Sequence, residues 1–295
     1  MSASSRYTSG LYTRRRVTNA VAMAFGALAT VLGLFFLVWI LWLTFVNGIS
    51  ALHGSLFTKI TAFGPQGGLS NAIVGSLTMD FIALLICAPI GVMAGMWLAE
   101  YARVTKLGTI IRFLNDILLS APSIVLGLFV YMIIVLPMSN MTHGAISFSG
   151  FAGGVALALI GLPVIVRTTD EMLQLVPGTL REAALSLGVP QWKLTMQILL
   201  RAASSGIVTG VLLALARLAG ETAPLLFTAF GNNFMTVHPL DKMASVPVAI
   251  YQYTNDPDPA LHAIAWAGAL MITLFVLALS LLTRLYFSRK KVSYG

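Results

Sequence analysis

Residues 204–230 read SSGIVTGVLLALARLAGETAPLLFTAF. The run is apolar enough and long enough to cross the hydrocarbon core of a bilayer as a helix. Five more runs of this kind occur, at about 20–46, 70–98, 113–137, 151–169 and 263–286. The expected fold class is therefore all-α, with six transmembrane helices. What sets 204–230 apart is Arg217 and Glu221, with Gly220 between them and Pro224 just after. A charge at bilayer depth costs at least about 2.5–3.5 kcal/mol, so an intramembrane ionisable residue is a functional candidate by default.

Composition agrees with a membrane protein. The 295-residue chain is 58% hydrophobic and only 9% charged, against about 25% charged for a soluble domain. Its net charge of +8 is unevenly spread. Arg6, Arg14, Arg15 and Arg16 precede the first span, and Arg103, Lys106 and Arg112 lie in 99–112. Arg181, Lys193 and Arg201 lie in 170–203, and Arg284, Arg289, Lys290 and Lys291 at the C-terminal end. The alternate loops hold only Lys59 and Lys242. Cytoplasmic segments carry the excess of Lys and Arg, so both termini are expected in the cytoplasm. A nucleic-acid reading needs a basic face on a soluble domain, and the pattern offers none. Residues 1–16 are polar and basic, but the following apolar run is too long for a signal-peptide core, so it is expected to remain as a span. Cys87 is the single cysteine and forms no intrachain disulfide.

Along the chain we expect residues 1–69 to hold the N-terminus, first span and an external loop. Residues 70–288 form the transmembrane core, and 289–295 a cytoplasmic tail. The 47–69 loop carries Gly64-Pro65-Gln66-Gly67-Gly68. The external 231–262 loop is rich in Asn, Asp and Pro; it reads as a solvated connector or a surface for an external partner, with room for a short helix. Gly91 and Gly95, and Gly206 and Gly210, recur at four-residue spacing and let helices approach closely. Pro89, Pro122 and Pro163 are expected to bend their helices.

Arg217 and Glu221 are four apart and on one helix would share a face. Cation before anion is the weaker order, and such a pair is worth only a few tenths of a kcal/mol, less than the cost of either charge in hydrocarbon. Pro224 cannot donate to the Gly220 carbonyl, so a kink is expected there. Irregular backbone at membrane depth belongs where it is buried in protein or lines a water-filled cavity. The stretch is therefore read as facing an internal path. A guanidinium matches oxyanions in bidentate geometry and keeps its charge, so an anion is the natural passenger. Arg167 ends another apolar run; it fits either that path or snorkelling at the interface. Asp116 reads as an interfacial helix cap.

The 170–203 loop reads DEMLQLVPGTLREAALSLGVPQWKLTMQILLRAA. Thr179 precedes Glu182 by three, the capping-box spacing. Leu180, Ala183, Ala184 and Leu187 make an apolar stripe, Gly188 can stop the helix, and Pro190 can open the next. The stripe either packs on its own membrane domain or meets a soluble partner by helix-in-groove docking.

Glu182-Ala183-Ala184, followed by Gly188 and Ile198, resembles the EAA motif of binding-protein-dependent ABC importer permeases. Where that motif continues Ile-x-Leu-Pro, this chain has Ile198-Leu199-Leu200-Arg201. Arg217-Leu218-Ala219-Gly220-Glu221-Thr222-Ala223-Pro224 and Phe113-Leu114-Asn115-Asp116 through Val125 resemble the phosphate-specific members. Val164-Ile165-Val166-Arg167-Thr168-Thr169 and Leu175-Val176-Pro177 extend the likeness. The resemblance implies a type I ABC importer permease (MetI-like) fold in a bacterial inner membrane, with the first span at the side. It implies import of inorganic phosphate, with Arg217, Glu221 and more weakly Arg167 on the pathway. Glu182, Ala183, Ala184 and Gly188 would couple to an ATPase. The implied partners are a homologous permease subunit, PstC, two ATPase subunits, PstB, and a periplasmic phosphate-binding protein, PstS.

The chain has no G-x-x-x-x-G-K-[ST] loop, so ATP hydrolysis is assigned to another polypeptide. No H-E-x-x-H occurs, and His53, His143, His238 and His262 lie in or beside external loops, so an intramembrane enzyme is disfavoured and neither cofactor nor metal is expected. A secondary transporter with Glu221 as proton relay is disfavoured by the EAA spacing. Sulfate or molybdate fits the charge chemistry as well as phosphate; the choice of phosphate rests on the resemblance.

Overall fold

The computed structural model describes residues 4–145 and 147–291. Its helices are α1 (Ser4–Ser50), α2 (Ser70–Glu100), α3 (Lys106–Ser120), α4 (Ser123–Met141) and α5 (Gly150–Gln174). They continue with α6 (Gly178–Ser186), α7 (Gln191–Leu218), α8 (Ala223–Thr228), α9 (Val246–Thr254) and α10 (Pro259–Lys291). Short helical turns at Ser55–Thr58 and Thr61–Gln66 join α1 to α2. Among the described residues, α1, α2, α4, α5, α7 and α10 hold stretches long and apolar enough to cross a membrane.

Small residues decide which helix lies at the centre. The two glycine pairs of α2 and α7 both press on α5. A Cβ at Gly91 would stand 2.9 Å from Ile165, and one at Gly95 2.6 Å from Thr169 Cβ and 2.7 Å from the Val166 carbonyl. Gly206 faces Met172 and Gly210 faces Thr168 in the same way. Without a hydrophobic drive between helices in lipid, such close backbone approach is what holds them together. Met79, Cys87, Leu157, Ile165, Leu218 and Leu225 fill the space between.

α1 stands apart. Its membrane-length stretch is unburied within the chain, and its contact is made near its end, where Gly48 lies against Trp266 and Leu270 of α10. At the same end of the bundle a second cluster joins Leu56, Leu69, Ala72, Val246, Ala249 and Ile264. The hydroxyls of Thr105, Ser149 and Ser245 open α3, α5 and α9, accepting hydrogen bonds from the backbone N–H groups of Gly108, Ala152 and Val248.

Two expected spans are built differently. The 113–137 run does not form one helix. It divides at Ala121, whose φ −65° and ψ 137° are extended; the ring of Pro122 disfavours a helical residue before it. α3 is thus a separate helix and the crossing begins only at Ser123, so Pro122 breaks the chain direction where a bend was expected. Asp116 lies inside α3 and does not cap it. The 204–230 run divides as well: α7 starts earlier, at Gln191, and stops at Leu218, and a short α8 follows. The 231–262 loop does carry a short helix, α9. The expected tail at 289–295 begins as the last turn of α10, and its residues 292–295 lie outside the described residues.

The α2–α5 seam leaves no space for a branched side chain at Gly95. Gly95→Val is expected to cost about 1–3 kcal/mol through overpacking. It should lower the thermal midpoint of the purified protein in detergent. Substituting the exposed Leu85 by Ala should leave that midpoint nearly unchanged.

Candidate functional site: a helix break and a surface helix

Leu218 ends α7 with three backbone hydrogen bonds that turn the chain: Ala219 to the Leu215 carbonyl (3.0 Å), Gly220 to Arg217 (3.3 Å) and Glu221 to Leu218 (3.0 Å). Residues 219–222 are not helical, and α8 resumes with Pro224 in its first turn, where a missing N–H costs nothing. Arg217 and Glu221 therefore do not share a helix face, as their spacing suggested; the helix ends between them. Their closest approach is 3.9 Å, with Arg217 side-chain exposure 39% and Glu221 16%. Among the described residues the Arg217 guanidinium makes no hydrogen bond. Leu218 faces Gly161, near the middle of α5, so the break lies at mid-depth of the bundle.

The break is roofed on one side. Gly127 of α4 sits against Pro224, and Gly153 of α5 against Leu225 and Ala229. The Ser149 N–H donates to the Thr228 carbonyl at 2.9 Å. Phe230 then adopts φ 65° and Gly231 φ 133°, a sharp reversal. Phe148 stacks on Phe230 at 4.9 Å, and the Lys242 ammonium stands 5.7 and 5.8 Å from the two rings. Buried Asn71 ties this corner to the α1–α2 loop. Its amide donates to Asn232 O at 2.7 Å and Thr61 Oγ1 at 2.8 Å and accepts from the Thr61 N–H at 3.0 Å. A cavity of about 340 Å³ opens beside it, between Phe230, Asn232, Asn233, Gln252 and Tyr253.

Arg167 is not brought to Arg217. It lies six residues beyond Gly161 on α5, about 9 Å further along the axis, and is paired with two carboxylates. Its Nε donates to Glu171 Oε1 at 2.8 Å and its Nη1 to Asp116 Oδ1 at 3.0 Å. Beside it Arg112 donates to both oxygens of Asp170, at 2.7 and 3.2 Å, and to the Leu98 carbonyl at 2.7 Å. The Asp170 carboxylate raises the Arg112 pKa. These pairs line a cavity of about 480 Å³ between α3 and α5.

The 170–203 loop has the expected helix, turn, helix form. α6 starts directly after Pro177, so Thr179 lies inside the helix; the expected capping box is not used because Pro177 fixes an earlier start. Gly188 ends α6 at φ 75°. Pro190 precedes the first helical residue, Gln191. The stripe is not buried on the chain's own core. Only Ala184 is, among Leu173, Val176, Leu194 and Leu199; Leu180 and Leu187 are exposed, Leu187 to 83%. Ala183 and Glu182 are not buried either. Arg201 does not disturb the following span: the helix runs through it, widened to π geometry over Leu194–Leu199.

Two features escaped the sequence reading. Asp80 is buried in α2, with Ala219 and Phe275 beside it around an apolar space of about 160 Å³. Arg181, counted only as a topological charge, donates from Nη2 to Glu100 Oε1 at 2.7 Å and to the Leu173 carbonyl at 2.6 Å, and from Nη1 to the Val176 carbonyl at 2.6 Å.

A bundle of six spans, a broken fifth span and an exposed two-helix loop before it define a class of transport subunits. Residues 91–292 match the family described as binding-protein-dependent transport system inner membrane component, and the chain belongs to it. Over 283 residues it is 51% identical to the phosphate transport system permease protein PstA of Xylella fastidiosa (strain Temecula1), covering 96% of each chain. It is 51% identical over 278 residues to PstA of Haemophilus influenzae, covering 94% of this chain and 96% of that one. It is 35% identical over 274 residues to PstA 1 of Mycobacterium tuberculosis (strain H37Rv), covering 91% of this chain and 87% of that one. These relatives put the chain in the PstA branch of the family. An inward-facing structure of the MetNI methionine ABC transporter superposes at a TM-score of 0.52 and 19% identity, over 77% of this chain and 94% of that one, which shows the shared fold. The protein is a multi-pass inner-membrane permease subunit that itself carries no catalysis and works with an ATPase and a binding protein.

Asp170 holds three donors at once, the third being Gln174 Nε2 at 2.7 Å. Asp170→Ala is expected to cost about 1.5–3 kcal/mol, the range for hydrogen bonds to a charged group. Thermal unfolding of the purified chain should show it, while Asp116→Ala, at the exposed end of Arg167, should shift the midpoint far less.

Proposed function

We propose that this subunit conducts inorganic phosphate inward, receiving it from a periplasmic phosphate-binding protein of the PstS kind. In this reading it pairs with a homologous PstC permease and rests on two PstB ATPases. The 231–262 loop and the Asn71 corner face the periplasm, and both termini and the 170–203 loop face the cytoplasm, a placement supported by the excess of Lys and Arg in the latter segments. Residues 70–288 act as the conducting core and 1–69 as its flank. The substrate is taken from the full-length likeness to phosphate permeases.

The observation that carries the chemistry is Arg217 at a mid-depth helix break, half-exposed and free of hydrogen bonds. A guanidinium offers paired N–H donors that fit two phosphate oxygens. Glu221 at 3.9 Å tempers the positive charge without occupying those donors. An anion arriving at Arg217 displaces water rather than a bound carboxylate, and the nearby Glu221 keeps the site from holding it too tightly to release. Arg167 would act later, on the cytoplasmic side, and only after giving up Glu171 or Asp116. Glu182, Ala183 and the exposed leucines of α6 form the face that meets the ATPase, while Ala184 and Gly188 shape the helix that presents it.

Arg217→Gln should lower uptake of labelled phosphate by about a hundredfold, the worth of roughly 3 kcal/mol, in a complex that still assembles. Loss of assembly instead would make Arg217 a structural counter-charge, and sulfate uptake in its place would make the substrate another oxyanion. Glu182→Lys should release the ATPase in pull-downs while the permease remains in the membrane. Unchanged association and uptake would contradict the docking role.

A further inference from the structure

We infer that Arg181 and Glu100 form the link through which movement of the surface helix α6 reaches the membrane core. α6 touches the rest of the chain by little else. Its leucines face outward, and Ala184 is its only buried side chain. Arg181, in contrast, is 15% exposed and Glu100 4%. The guanidinium donates to both Glu100 oxygens, from Nη2 at 2.7 Å and Nε at 3.4 Å, which fixes its plane. It also donates to the carbonyls of Leu173 and Val176, both at 2.6 Å. The Leu173 carbonyl lies in the last turn of α5, at the end that carries a negative partial charge, and Val176 follows two residues after the helix ends.

One side chain thus binds α6 to the ends of α2 and α5 together. Glu100 closes α2, and α2 and α5 are locked along the Gly91–Ile165 and Gly95–Thr169 contacts. The opposite half of α5 carries Gly161 against Leu218 and Gly153 against Leu225, the residues on either side of the Arg217–Glu221 break. A push on α6 is therefore delivered to α5 at one end and felt at the break along its length. Lysine would not replace Arg181: a single ammonium cannot hold a carboxylate in a fork while reaching two carbonyls on different residues. Arg181 and Glu100 are positioning residues; neither lies at the break that handles the anion.

This inference rests on α6 being the ATPase-docking helix. The test uses the full transporter in proteoliposomes and measures ATP hydrolysed per phosphate imported, for wild type, Arg181→Lys and Glu100→Gln. The docking face is untouched in both variants, so ATPase association and hydrolysis should persist. The ratio should rise by about fivefold or more, the lower end of a coupling between distant sites. A ratio equal to wild type, with uptake and hydrolysis unchanged or falling together, would overturn the link. Glu100→Gln keeps an acceptor for Arg181 and serves if Arg181→Lys does not assemble. Leu187→Asp, on the exposed face, separates the two ideas: if it leaves ATPase association intact, the docking reading fails, whatever the Arg181 variants do.

Discussion

Glycine-mediated contact between α5 and its neighbours is the constraint on which the rest depends. In a bilayer the helices gain little by hiding apolar side chains from lipid, so they associate where backbones can come close. α5 receives α2 through Gly91 and Gly95, α7 through Gly206 and Gly210, and α8 through its own Gly153. Because α5 is held on several sides, a broken span can lean on it. The non-helical residues 219–222 survive at mid-depth because protein surrounds them on these sides, as irregular backbone in a membrane requires.

That arrangement sets the proposed anion site and the proposed coupling link along one helix. At the middle of α5 lies the break with Arg217 and Glu221. At its end lie Asp170, bound to Arg112, and the Leu173 carbonyl, bound to Arg181, which also holds the Val176 carbonyl just beyond the helix. The charged side chains sort by how fully they are engaged. Arg112, Arg167 and Arg181 have carboxylates within hydrogen-bond reach and hold helices together. Arg217 has one at 3.9 Å, outside that reach, and in the proposed reading its free donors take the passing anion.

The spans were legible because apolar length is a strong signal, and the surface helix because Pro177, Gly188 and Pro190 bracket it. The two breaks were harder. Pro122 acts on the residue before it, so the run 113–137 looked continuous although Ala121 could not stay helical. Pro224 announced a disturbance at the Gly220 carbonyl, but the helix has already stopped at Leu218, between Arg217 and Glu221. Thr179 and Glu182 had the right capping spacing, yet Pro177 set the start of α6 and left the box unused. Glu100 and Arg181 are 81 residues apart, and Asn71 and Asn232 are 161 apart; no local pattern joins them. Asp80 is legible in the sequence, since the cost that singles out Arg217 applies equally to a lone aspartate in the 70–98 run.

If Arg217 handles the anion as proposed, the break at 219–222 lines a water-filled path that opens as the ATPase moves. Gly220 has space for a side chain: a Cβ there would stand 3.9 Å from its nearest neighbour, the Arg217 carbonyl. The most direct measurement is the rate at which a hydrophilic, anionic thiol reagent modifies Gly220→Cys in the assembled transporter, with Cys87→Ala removing the native thiol. Modification should change in rate when ATP is bound and slow in the presence of phosphate. Modification by a lipid-soluble maleimide alone, with none by the anionic reagent in any nucleotide state, would place the break against lipid and contradict it.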